Sequence, residues 1–395
     1  MLSIAMKYNF DEVVSRKGTN SLKYDFFEKY GKPEDALPVW LADMDFRVPI
    51  EVTQKLIDIA RHGIFGYTET KDDYFHDLLH WFSQRFDYAP EPEWLIKTPG
   101  VVFALAAAVR AYTETGDSVM IQQPVYPPFS STVTDNRRNL VINPLVERNG
   151  FYHVDFDLFE KQLIEHKVKL FILCSPHNPV GRVWTKEELV TTSELCLKHR
   201  CLIVSDEIHC DFSYSGYTHR MLATLSPEIA ERSIICTAPS KTFNLAGLQI
   251  ANIFIQDAAL RRKFTQAVRN TGYSQMNIMG LAACQYVYRY GHDWLNQLLA
   301  YLSDNLSFLR DFLKQRLPEI KLIEPQGTYL VWLDFRAFKM DDAQLNDWIT
   351  HKAKLWLNKG TSFGCGGEGF QRINIACPRV ILEKALTRLE HALRQ

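Results

Sequence analysis

The chain has 395 residues, 46% of them hydrophobic and 23% charged, with a formal net charge of −1. That length exceeds one ordinary core, so two domains are expected, and near-zero charge excludes an overall field favouring nucleic acid or an anionic membrane. No apolar stretch reaches the ~18 residues of a membrane helix, and "MLSIAMKYNFDEVVSRKG" lacks the basic start and apolar run of a signal peptide.

The first strong element is "DYFHDLLHWFSQRF" (73–86), an amphipathic helix. His76 and His80 stand at i, i+4 as in the zinc pattern H-E-x-x-H. The acid between them is Asp77, however, and large apolar residues surround the pair, so surface or interface histidines are the plainer reading and no metal site is expected. Next come short β-rich runs: "SVMIQQ" (118–123), "NLVINPL" (139–145), "KLFILCS" (169–175), "CLIVSD" (201–206), "SIICTA" (233–238) and "IANIFIQ" (250–256). Helical patterns separate them, among them "TKEELVTTSELCLKHR" (185–200), where Thr185 and Glu188 fit a capping box. Strands alternating with helices predict an α/β fold with a mainly parallel sheet covered on both faces.

Beyond about residue 260 the texture changes. A helical stretch spans roughly 281–317, and "GTYLVWLDF" (327–335) and "FQRINIACP" (370–378) read as strands of a smaller α+β unit. That unit ends in the helix "RVILEKALTRLEHALRQ". The boundaries drawn are a large domain over 46–285, a small one over 286–395, and an N-terminal segment, 1–45, packing with the small domain. "GCGGEG" (364–369) matches G-x-G-x-x-G, but a dinucleotide site needs a helix after it, and a strand pattern follows; it reads as a loop. Eight cysteines without a CxxC read as free thiols of a reducing compartment, so a cytoplasmic globular protein is expected.

Four segments fall at the ends of these strands, where open α/β sheets place ligands. They are "QPVYPPF" (123–129), "SPHNPVGR" (175–182), "SDEIH" (205–209) and "APSKTF" (238–243). Singly, Asn178-Pro179 suits a turn, Asp206 a helix cap, Tyr126 a core and Lys241 a solvated turn. Together, a lysine, a carboxylate, an amide and an aromatic ring match the needs of a pyridine aldehyde cofactor. Lysine forms the Schiff base and an aspartate keeps the ring nitrogen protonated.

The order Asn-Pro-x-Gly, Asp-Glu, Ser-Lys and a late Arg resembles the fold-type I pyridoxal-phosphate (PLP) enzymes of the class I/II aminotransferase superfamily. More closely, "WLADMDF" (40–46), "GIFGYT" (63–68), "SKTFNLAGLQ" (240–249) and "FQRINIACPR" (370–379) resemble the MalY/PatB-type cystathionine β-lyases. The resemblance implies a large PLP domain with a seven-stranded sheet, a homodimer with active sites at the subunit interface, and a small amino-acid substrate. It implies Lys241 as the Schiff-base lysine and then the Cα base, Asp206 on the pyridine nitrogen, Asn178 on O3′ and Tyr126 stacked on the ring. Ser240 and the backbone N–H groups of Gly100, Val101 and Val102 would hold the phosphate, and in "TPGVVFALAAAVRAY" a glycine turn does open an apolar helix. Tyr67 would reach the neighbouring subunit's phosphate. Arg372 would grip the substrate carboxylate with its planar fork, a structural salt bridge being its plainer role. Ala42 is placed at the substrate and His209 at the cofactor.

Two departures matter. Aspartate-type aminotransferases carry Tyr three residues after the ring-nitrogen Asp and Arg eight residues after the lysine; here these are His209 and Gln249. Both agree with the β-lyase branch. The reaction implied is α,β-elimination of cystathionine or a related cysteine S-conjugate to thiol, pyruvate and ammonia. An aminotransferase on the same scaffold and a PLP-binding regulatory protein are the alternatives.

Overall fold

The computed structural model describes residues 8–394. Its central sheet holds seven strands: β1 (Leu95–Thr98), β2 (Ser118–Gln123), β3 (Asn139–Pro144), β4 (Leu170–Cys174), β5 (Leu202–Asp206), β6 (Ser233–Thr237) and β7 (Ala251–Phe254). They lie in the order β1-β7-β6-β5-β4-β2-β3. β7 runs antiparallel to both its neighbours, and every other pair is parallel. The mainly parallel seven-stranded sheet is therefore as expected. Its central strands, "LFILC", "LIVSD" and "SIICT", are buried at every position, which explains their unbroken apolar texture. β1 was not visible as an apolar run. Its four residues, "LIKT", form a half-buried edge strand carrying Lys97.

The helices that matter below are α1 (Ile50–His62), α2 (Asp72–Phe86), α3 (Val101–Tyr112), α4 (Lys186–Lys198), α5 (Ala258–Arg269), α6 (Ile278–Tyr290), α7 (His292–Arg316) and α8 (Arg379–Arg394). The capping box of α4 is present: Thr185 Oγ1 accepts from the Glu188 N–H at 3.2 Å, and Glu188 Oε2 from the Thr185 N–H at 2.8 Å. The helix expected over 281–317 is two helices, divided at Gly291. A Cβ at Gly291 would lie 2.3 Å from the Phe243 ring, so the break packs directly on the segment that carries Lys241.

The smaller sheet comprises β8 (Lys321–Ile323), β9 (Leu330–Asp334), β10 (Asn358–Lys359) and β11 (Phe370–Asn374). Its order is β8-β9-β11-β10, antiparallel throughout, and α7 packs against α8 beside it. Leu37–Pro38 pairs with Leu355–Trp356, and the Asp45 N–H donates to the Ala376 carbonyl at 3.0 Å. Residues 1–7 of the N-terminal segment lie outside the described residues.

His76 and His80 are both exposed on α2, and Asp77 between them accepts from Arg289 Nε. "GCGGEG" is a loop ahead of β11. Gly364 has φ 93° and leaves room for the Gln123 side chain, whose Oε1 accepts the Cys365 N–H at 2.9 Å. Among the described residues no helix is long and apolar enough to cross a membrane.

Candidate active site

β1, β2, β4, β5 and β6 all run in one direction, so their carboxyl ends open on one edge of the sheet. Asp206 is the last residue of β5, in register with Cys174 and Cys236 on either side. Its carboxylate is buried and accepts the Ile208 N–H at 3.1 Å; among the described residues no cation lies within ion-pair distance of it. Burial pushes this carboxyl up to about 7, while the Ile208 bond and Lys241 pull it back. A buried carboxylate without a cation fits a partner that brings a proton on a ring nitrogen.

Lys241 sits in the short helix Pro239–Thr242 after β6 and donates from Nζ to the Ala42 carbonyl at 2.8 Å. Burial brings its amine down to about 8, helped by Arg372 and opposed by Asp43 and Asp206. An amine poised there can hold or release a proton near neutral pH.

Arg372 lies at the middle of β11, its register partners Trp332 and Asn358. Nη1 donates to Asn178 Oδ1 at 2.9 Å, and Nη2 to Asn358 Oδ1 at 2.6 Å and the Trp40 carbonyl at 3.1 Å. The guanidinium lies 4.8 Å from the Phe363 ring centroid, and its buried Nε has no partner. Among the described residues no carboxylate reaches it, which corrects the salt-bridge reading. Burial lowers even this guanidinium to about 10. A buried, forked cation with neutral acceptors alone is built for an anion from outside the chain.

Asn178 is buried, and because its Oδ1 already serves Arg372, Nδ2 is the end left to meet a ligand. Tyr126 follows β2; burial raises its phenol, with Arg372 and Asp206 in electrostatic reach. His209 is buried with Nδ1 unpaired, and burial, Lys241 and Arg372 keep it neutral. Gly100 (φ 146°) precedes the first turn of α3, where Val101 is buried and Val102 exposed, and Ser240 is partly buried beside Lys241. The free first-turn N–H groups of α3 suit an anion. Tyr67 is 97% exposed and is not gathered with the others in its own chain.

Four contributors were missed by sequence reasoning. Tyr329, wholly buried, donates from its hydroxyl to the Ala42 carbonyl at 3.1 Å; inside "GTYLVWLDF" it reads as core. Asn358 and the Trp40 carbonyl complete the Arg372 cradle from elements distant in sequence. Asn244, three residues past Lys241, accepts the Met44 N–H at 2.9 Å and donates to the Met44 and Phe46 carbonyls. Its amide, so close to the lysine, was the available signal.

A parallel sheet with a lysine, a buried carboxylate and an amide at its carboxyl edge, and an arginine supplied by a second sheet, defines a family. Residues 41–389 match aminotransferase class I and II, and the chain belongs to that family. It is 43% identical to cystathionine beta-lyase PatB of Bacillus subtilis over 385 residues, 98% of this chain and 100% of that one. Cystalysin of Treponema denticola, whose crystal structure contains pyridoxal 5′-phosphate, superposes with a TM-score of 0.95 at 36% identity, over 98% of this chain and 99% of that chain. The PLP-bound C-S lyase of Staphylococcus hominis gives 0.93 at 32% identity, over 99% of each.

Proposed function

We propose that this chain is a PLP-dependent carbon–sulfur β-lyase, releasing a thiol, pyruvate and ammonia from cystathionine or a related cysteine S-conjugate. The observation that carries the reading is Arg372, a buried cation with three neutral acceptors and an unpaired Nε, bonded to the same Asn178 that follows β4. It fits the α-carboxylate of an amino acid. Relatives named as lyases over essentially the whole chain support the reaction type.

PLP, when bound, supplies an electron sink for charge developing at the substrate Cα. The residues around it divide the remaining work. Lys241 Nζ would be the amine that holds the cofactor and the base that takes the Cα proton; its place beside the Ala42 carbonyl orients it. Asp206 would keep a proton on the pyridine nitrogen, and Asn178 Nδ2 would donate to the phenolic oxygen. Tyr126 would cover the ring and help exclude water. Ser240 and the N–H groups of Gly100, Val101 and Val102 would hold the phosphate. With Gln249 where an arginine could have stood, phosphate binding leans on these groups and on Tyr67 of a second copy. The exposed run Ile64, Phe65 and Tyr67 supports such a homodimer, since apolar groups this open ask for a partner surface.

A division into 46–285 and 286–395, with the N-terminal segment going with the second, would put Lys241 and Asp206 in one domain and Arg372 in the other. Cytoplasmic location agrees with eight free cysteines, seven of them buried. The test is incubation with cystathionine in the absence of any 2-oxo acid. Pyruvate formation supports elimination; no pyruvate, with an added 2-oxo acid converted to its amino acid, indicates an aminotransferase instead.

A further inference from the structure

Behind the Ala42 carbonyl lies an ion network that the reaction itself does not use. Lys23 is completely buried, and its Nζ lies 2.8 Å from Asp45 Oδ2 and 3.8 Å from Asp43 Oδ1. Arg16 reaches both acids, at 2.5 Å to Asp43 Oδ2 and 2.9 Å to Asp45 Oδ1, and the Tyr24 hydroxyl donates to Asp45 Oδ2 at 3.0 Å. Two cations and two anions thus balance around residues 43 and 45.

The segment that holds them, residues 40–46, carries the acceptors of both functional cations. Trp40 O takes Arg372 Nη2, and Ala42 O takes Lys241 Nζ. Four more of its carbonyls are held: Asn374 Nδ2 takes those of Leu41 and Asp43 at 2.6 Å each, and Asn244 takes those of Met44 and Phe46. Asn374 lies on β11 with Arg372, and Asn244 beside Lys241, so one short segment ties the two cations together. The ion network anchors the same segment beside the Asp45 N–H bond to Ala376, and removing one member strands a buried charge.

We propose that Arg16, Lys23, Asp43 and Asp45 are positioning residues for Lys241 and Arg372, fixing the segment whose Trp40 and Ala42 carbonyls receive them. This deepens the reading of Lys241 as the cofactor-holding amine and rests on it. Lys241 is faced by Asp43 from this segment, Asp206 from β5, His209 just beyond it, Tyr329 ahead of β9 and Arg372 from β11. Asp43 favours its protonated form and Arg372 opposes it. Perturbing the network should therefore move the Lys241 amine with a sign set by the charge removed.

The test uses the full-length chain without cofactor, labelled with 13C at lysine Cε, the Lys241 signal being assigned by its loss in Lys241→Arg. Asp43→Asn should lower the Lys241 titration midpoint by ~0.5 unit or more, since an anion is lost. Arg16→Gln, at a partly exposed position, should raise it by a similar amount, since Asp43 loses its nearest cation, and Arg16→Lys should restore most of the original value. A network that merely stabilises the fold would lower Tm in both variants while leaving the midpoint unmoved or shifting it the same way; either result overturns the proposal. Should Asp43→Asn fail to fold, the Arg16→Gln shift decides alone: a rise supports the proposal, and no shift or a fall overturns it. Failure of the underlying reading shows separately, as cofactor absorbance that survives Lys241→Ala.

Discussion

In the cofactor-free chain, Asp206→Asn should increase stability at neutral pH. The Asp206 carboxyl is raised from its ordinary 3.8 to about 7, chiefly by burial. Between those values the folded state keeps a proton that the unfolded state has released, so stability falls as pH rises through the window. At ~1.36 kcal/mol per unit, a rise of about three units sets a ceiling of about 4 kcal/mol. Relaxation around the buried group reduces this, and about 2 kcal/mol is the working expectation. Asparagine has nearly the same shape and does not ionise. Urea unfolding followed by tryptophan fluorescence should therefore find the variant about 2 kcal/mol more stable than the parent at pH 8, with the gap closing to about 0.5 kcal/mol or less at pH 4.5. A variant less stable at pH 8, or a gap independent of pH, would refute the reasoning. With PLP bound the advantage should vanish, because asparagine cannot hold a proton on the ring nitrogen.

Arg372→Lys keeps a charge but loses the fork that spans Asn178 and Asn358; kcat/KM for an amino-acid substrate should fall about 100-fold, or about 3 kcal/mol, with substrate affinity affected most. An unchanged KM would remove Arg372 from the carboxylate. For Tyr67, mixing inactive Tyr67→Ala and Lys241→Ala subunits should restore part of the activity, since a hybrid dimer then holds one site with both residues intact. Mixtures no better than their parents, with subunit exchange verified, would rule out a contribution across the interface.

The legibility of this chain follows from where each signal resides. Strands buried on both faces announce themselves as apolar runs, which is why β4, β5 and β6 were plain, while the edge strand β1, short and carrying Lys97, was not. Gly291 divides α6 from α7 because Phe243 packs against it, a tertiary reason that helical periodicity does not carry. Lys241, Asn178 and Tyr126 each follow a strand of one sheet and Asp206 ends one, so order along the chain set them on one edge of the sheet. The acceptors are different. Ala42 and Trp40 act through backbone carbonyls, and Tyr329 and Asn358 through register on the smaller sheet, so no side-chain pattern marks them. The role expected of Tyr67 came from resemblance alone; in a single chain it stands exposed.

The most direct measurement is the product balance from cystathionine with no 2-oxo acid added, for the parent chain and for Lys241→Ala. The account predicts pyruvate, ammonia and thiol in equal amounts, continuing over many turnovers, and no product from Lys241→Ala. Pyruvate absent from the parent, or undiminished in the variant, would contradict it.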